Sequence, residues 1–195
     1  MKRYWAHFGL FLMSLVLSGC VSFSTFQSAQ TLDEGKLALT AGFVEESDSG
    51  YFVEAGVRYG ISPRADFGLK IGTPYGVWID YKHELIQTPR TVSFDMGMSV
   101  YSSPDHRLIA FYPMLITGTE RWHVGVKAVY YATNGSVRLF NEDFEYDERG
   151  FFPPMIVIGG VLGNAVKFLP ELNIFIPTDG GKIGFMPGIG VRLDL

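Results

Sequence analysis

The chain of 195 residues contains a single cysteine, Cys20, so no internal disulfide framework holds it together. Beyond the N-terminal twenty residues, no stretch is long and apolar enough for a membrane-spanning helix. Basic patches are missing too. The 16 Lys and Arg are scattered among 20 Asp and Glu, for a net charge of −4, and nucleic-acid binding is not expected. His7, His83, His106 and His123 share no metal-ligand spacing, and neither an H-E-x-x-H motif nor a cysteine cluster occurs. No metal and no other cofactor is therefore expected.

What is present is apolar and rich in glycine. Hydrophobic residues make up 47%, with 23 Gly, 16 Phe and 10 Tyr, a composition that points to β-structure once a spanning helix is excluded. The N-terminus has its own logic. Met1-Lys2-Arg3 precede a short apolar run from Trp5 to Leu17, then Ser18, Gly19 and Cys20, the layout of an export signal. Leu17-Ser18-Gly19-Cys20 resembles the bacterial lipobox. That resemblance implies diacylglyceryl transfer to the Cys20 thiol, cleavage before it, and acylation of the new amino terminus. Two or more acyl chains anchor stably where one does not. Val21, which is not the aspartate associated with inner-membrane retention, is compatible with outer-membrane sorting. Cleavage removes Lys2 and Arg3, two positive charges, and takes the net charge from −4 to −6. The expected organisation is a lipoprotein signal peptide at 1–19, a lipidated cysteine and tether at 20–34, and one β-domain at 35–195.

Period-two alternation dominates that domain. In 51–60, Tyr51, Val53, Ala55, Val57 and Tyr59 share one face, and Phe52, Glu54, Gly56, Arg58 and Gly60 the other. The same pattern recurs at 65–72, 76–85, 92–100, 122–131 and 182–195, and a first strand is plausible at 35–46. Three further segments, 107–118, 151–163 and 165–177, are apolar on both faces and contain prolines. Proline cannot donate to a ladder, so each should sit at a bulge, a strand end or an unpaired edge. The expectation is an all-β fold, a small antiparallel transmembrane β-barrel of about ten strands, with eight possible.

Parity and loop lengths favour a barrel in a membrane. Ten strands place both termini on one side. Turns near 62–64, 87–90, 117–121 and 163–165 then fall at the periplasmic end, and the longest loop, 134–150, at the other. The glycine-bearing face carries Glu54, Arg58, Asp66, Lys70, Asp80, Lys82, Glu84, Asp95, Lys127, Glu171 and Arg192, nearly balanced in sign. This is the charge network expected to fill a small lumen. Tyr51, Tyr59, Trp122, Tyr130 and Phe152 fall near strand ends, as interfacial girdles do. A soluble lipocalin-like barrel with the apolar face inward would show the same alternation. The hairpin at 57–72, with Asp66, Gly68 and Gly72 after a tight polar turn, resembles those of small Gram-negative outer-membrane barrels. Such barrels often end in an aromatic residue, where this chain has Leu195.

Catalytic chemistry finds little support. Ser102 or Ser103 with Asp105 and His106 is the nearest approach to a triad. Neighbours in one loop seldom reach triad geometry, and all are ordinary turn residues. An enzyme is less expected than none. Glu142, Asp143, Glu145, Asp147 and Glu148 form an acidic surface loop without calcium-loop spacing, suited to solvation or to a cation bridging to lipopolysaccharide phosphates. The function expected is an outer-membrane β-barrel lipoprotein with a structural or interaction role in the envelope and no open bulk-flow pore. The alternatives are a lipid-modifying acyl hydrolase or transferase, and a periplasmic lipocalin-like lipoprotein. The expected partners are outer-membrane lipid and the export, lipoprotein-processing and barrel-assembly machinery.

Overall fold

A computed structural model describes residues 24–46, 50–73, 76–102, 107–134, 137–139, 142–144, 149–176 and 183–195. At 46, 50, 102, 107, 133–134, 137–139, 142–144, 149 and 152–153 it describes the backbone alone. Ten long strands follow one another as an antiparallel meander: β1 (Leu37–Glu46), β2 (Gly50–Ser62), β3 (Ala65–Gly72), β4 (Gly76–Ile86), β5 (Thr91–Ser102), β6 (Arg107–Gly118), β7 (Trp122–Asn134), β10 (Arg149–Gly160), β11 (Val166–Phe175) and β12 (Gly184–Asp194). Two short strands, β8 (Val137–Leu139) and β9 (Glu142–Phe144), pair with each other inside the long β7–β10 connection. The meander closes on itself. β1 pairs with β12 from Ala38↔Asp194 to Val44↔Gly188, so the ten-stranded sheet has no open edge.

The connections are short at one end. Residues 63–64, 87–90, 119–121 and 161–165 join strands at this near rim, where Leu195 also pairs with Leu37. The far end takes the 135–148 and 176–183 connections, the longest of the chain, together with three short ones. Prolines sit where the ladder lets them. Pro153 and Pro154 fall in the register shift between Phe152 and Met155, opposite β7. Pro113 lies between the Phe111↔Tyr130 and Met114↔Lys127 pairs.

Alternation then decides which face meets which solvent. The side chains that point outward include Leu39, Phe67, Leu69, Ile79, Phe111 and Val126, each at least 39% exposed. Those that point inward include Asp66, Lys82, Asp95 and Lys127, none above 2%. This is the reverse of a water-soluble barrel. Withdrawing an aliphatic or aromatic side chain from water is worth roughly 1.5–3 kcal/mol when complete. Among the described residues 33 large hydrophobics are exposed, most of them on the strands of the wall, and an aqueous surround would forfeit most of that gain. Closure also pairs both edges of every long strand with a neighbour, apart from local register shifts, the condition for crossing hydrocarbon. The chain is a ten-stranded transmembrane β-barrel.

Aromatic side chains mark the ends of the wall. Tyr59 and Trp122 are exposed toward the near rim, while Tyr51 stacks on Phe43 toward the far rim. Tyr130 meets Phe151 edge-on, also toward the far rim. The side chain of Phe152 lies outside the described set.

Ile79, mid-way along β4, tests this orientation. Ile79→Arg is expected to lower stability by roughly 2–4 kcal/mol when the barrel is titrated with denaturant in bilayers, the cost of Arg near the midplane. Leu85→Arg, an outward position toward the near end of the same strand, should cost about 1 kcal/mol or less.

Candidate functional site

The lumen has two halves with different chemistry. Toward the far end it is lined by Val44, Phe52, Trp78, Tyr101, Tyr131 and Met186, among others. From the middle toward the near rim it is charged. Arg58 on β2 bridges Asp66 of β3 and Asp80 of β4. Lys82 approaches Asp66 from the other side at 3.5 Å, and Lys70 pairs with Glu54 at 2.8 Å. These contacts follow from register: Arg58 lies opposite Gly68, which lies opposite Asp80, so three inward positions fall in one row across the sheet. Lys127 reaches over the Tyr112 ring, 5.1 Å from its centroid.

Ion pairs leave many carboxylate and ammonium valences unfilled, and a segment of the chain itself fills them. Residues 24–32, before β1, run up the inside of the barrel and are mostly buried. Glu171 accepts from the Thr25 amide at 2.8 Å, the Thr25 hydroxyl at 2.7 Å and the Phe26 amide at 2.7 Å. Glu84 accepts from both the amide and the hydroxyl of Thr31, and Asp66 from the Leu32 amide at 2.9 Å. Asp95 accepts from the Gln27 side-chain amide, and Glu54 from the Ser24 hydroxyl. In the other direction, Lys82 donates to the carbonyls of Ser28 and Gln30, and Lys70 to that of Ser24. A non-regular backbone can lie in this space because the wall supplies partners for its amides and carbonyls.

Shape complements charge at two places. Phe26 lies against Gly42, Gly188 and Gly190, where a β-carbon on Gly190 would stand 2.9 Å from the ring. At the near rim, Gly60 lets the chain turn in. A β-carbon there would press on the Leu32 carbonyl at 2.9 Å, and the Gly60 amide donates to Lys36. The free space left beside Ser24–Gln27, Arg58 and Lys70 is about 30 Å³, which holds a water. Below the segment, a vestibule of about 540 Å³ is lined by Ser28, Gln30, Arg121, Lys167 and Arg192, among others.

Of the eleven charged residues assigned to the lumen, ten are buried and Lys70 is half-buried, all on the inward face. Glu54, Arg58, Asp66, Lys70, Asp80, Lys82, Glu84, Asp95 and Glu171 each bond to the segment, to one another or to both. Arg192 pairs instead with Asp194 at 2.8 Å, toward the near rim. His123 is 3% exposed, with its ring against Gly159, and neither nitrogen makes a hydrogen bond. His83 faces outward beside Tyr81. Cys20, His7, Ser103, Asp105, His106, Glu145, Asp147 and Glu148 lie outside the described residues. The backbones of Ser102, Glu142 and Asp143 are described, but their side chains are not. Among the described residues no group of three His, Cys, Asp or Glu is arranged to hold a metal.

Of the segment expected to be the lipidated cysteine and tether, 20–34, the described residues 24–32 are packed into the lumen. The physical reason is the wall's carboxylates, which need more donors than its own five cations supply. One signal was available. "SFSTFQSAQT" is uncharged and dense in hydroxyl and amide groups, a composition suited to a polar cavity.

No family model and no curated protein matches the chain. Among solved structures it is similar to the N-terminal β-barrel domain of Pseudomonas aeruginosa OprF, at 12% identity and TM-score 0.36, covering 84% of this chain and 100% of that one. It is also similar to Neisserial surface protein A, at 12% identity and TM-score 0.31, over 81% of this chain and 94% of that one. BamA from Haemophilus ducreyi lacking POTRA domains 1–3 is similar at 8% identity and TM-score 0.39, over 83% of this chain and 41% of that one. Likeness this distant adds nothing to the polarity of the two faces, which alone defines the class: a membrane β-barrel with its lumen filled from within.

Arg58 holds two acids at once, so its removal leaves charge buried and unpaired. Arg58→Met is expected to destabilise the barrel by roughly 3–5 kcal/mol, the usual cost of breaking a buried pair from one side. The temperature at which folded gel mobility is lost should fall accordingly, while Lys167→Met at the half-exposed Asp194 pair should barely shift it.

Proposed function

We propose that this protein is an outer-membrane lipoprotein whose barrel serves a structural or interaction role in the cell envelope and does not conduct solutes in bulk. The observation that carries this reading is the self-filled lumen. Nine consecutive residues, Ser24–Leu32, lie in the space a pore would need; about 30 Å³ remains beside Ser24–Gln27, and the vestibule of about 540 Å³ beside Ser28 and Gln30 lies below that constriction. The export signal and the lipobox ending in Cys20 support lipid anchoring. The placement of short turns at one rim and of the longest connections at the other supports a periplasmic orientation for the first. The far end then faces the cell exterior. There the connection carrying Glu142, Asp143, Glu145, Asp147 and Glu148 would meet lipopolysaccharide or its bridging cations.

A catalytic role draws no comparable support. His123 is buried in the lumen against Gly159, away from any lipid substrate. A lipocalin-like role would require an apolar inner face along the whole cavity, where this one carries a charged half.

Two measurements test the reading. In planar bilayers the full-length protein should give no steady conductance, whereas a variant lacking residues 24–32 should show stepwise ion currents. Steady, solute-sized conductance by the intact protein would overturn the closed-lumen role. Radiolabelled palmitate should enter the wild type and be lost in Cys20→Ala; unchanged labelling in the variant would remove the lipoprotein assignment.

A further inference from the structure

The segment that fills the lumen also has a direction. Asp33 and Lys36 stand at the near rim, where Gly35 donates to the Gly60 carbonyl. Going backward along the chain, Thr31 reaches Glu84, Ser28 and Gln30 reach Lys82, Thr25 reaches Glu171, and Ser24 reaches Glu54 and Lys70. The chain therefore climbs from the near rim toward the far one, and its N-terminal side points outward.

Lengths decide where Cys20 goes. Glu54 is four residues from Gly50, the far end of β2, and eight from Ser62, the near end. At about 3.3 Å per strand residue, those are roughly 13 Å and 26 Å of strand. Strands of such barrels tilt by about 40°, so the axial distances are roughly 10 Å and 20 Å. Cys20 precedes Ser24 by four residues, and four extended residues span at most about 14 Å. That reaches the far rim and falls short of the near one. The lining on the way is apolar, Phe52 and Trp78 included. Two or three acyl chains cannot share a lumen already filled by such side chains, so they must leave by the far mouth.

Resting on the lipoprotein reading above, we infer that the chain is threaded through its own barrel, so that the acyl groups on Cys20 insert in the leaflet at the far rim. The lipid anchor is thus displayed at the cell surface, beside the long connections, with the barrel clasping the stem that carries it. The partner surface is the outward leaflet itself. The anchor cannot reach the periplasmic leaflet without pulling residues 24–32 out of their hydrogen bonds.

A disulfide reports on threading directly. A β-carbon on Gly190 would lie 3.2 Å from that of Phe26, a few tenths of an ångström short of the cystine range of about 3.5–4.5 Å, so a small backbone shift brings the pair to disulfide distance. In acylated protein Cys20 has no free thiol, so Phe26→Cys with Gly190→Cys supplies the only pair. Cells expressing this full-length double variant are labelled with radioactive palmitate and analysed by non-reducing gel. The expected result is that the labelled band carries the cross-link. A labelled band without it, the cross-link being confined to unlabelled protein, would overturn threading. Cross-linked protein that takes up no palmitate would refute the lipoprotein reading instead. If the double variant fails to fold, an epitope inserted between Val21 and Ser22 of the otherwise native chain serves the same end. Antibody staining of intact cells is expected; staining only after permeabilisation, or none, would overturn the far-rim position.

Discussion

Charge enclosed in the barrel must be compensated there, and most of the architecture follows from that requirement. Six carboxylates and five cations project into a space too narrow to hydrate them fully. A buried ion without partners costs several kcal/mol, comparable to the whole stability of a small domain. Ion pairs between adjacent strands meet part of the need, with Arg58 between Asp66 and Asp80 at the centre. The remainder is met by backbone amides, carbonyls and hydroxyls of residues 24–32. The wall and its filling are thus one hydrogen-bonded unit.

That unity makes the filling more than a loose stopper. Asp66 is bound at once by Arg58, Lys82 and the Leu32 amide, which joins three strands to the inserted segment. Glu171 collects three donors from Thr25 and Phe26 and a fourth, at 2.9 Å, from Asn173. Phe26 fits a slot made by glycines of β1 and β12, the two strands that close the barrel. The seam is therefore packed by the same segment that satisfies the charges. An inserted chain with so many long-range partners lends stability to the strands it touches, and withdrawing it would strand several carboxylates at once.

The two halves of the lumen divide the labour. The apolar far half excludes water with aromatic side chains, much as a soluble core does. The charged part gives the inserted segment its register, because Glu84, Asp66 and Glu171 each accept from particular backbone amides of it. Apolar packing alone would tolerate sliding, while directional hydrogen bonds do not.

Which residues share a side was readable, because a strand's alternation is strict: Val53, Ala55 and Val57 fall together, and Glu54 and Arg58 on the other side, whereas the strand number was read as about ten with eight left open and was decided by the closed ladder. Even the proline-bearing strands β6, β10 and β11 fell where turn spacing placed them. The side facing lipid was only favoured by the sequence, since period two is blind to inside and outside. The inserted segment left only a compositional trace, its uncharged run of hydroxyl and amide side chains, and nothing in it showed where it would lie. Residues 24–32 have no periodicity, and their value lies in partners 34 to 146 positions away, which only the closed wall brings together. Local pattern determined the strands because a strand's faces are set by its own chain. What fills the cavity was decided by tertiary structure, because a carboxylate's need for donors is expressed only once ten strands have enclosed it.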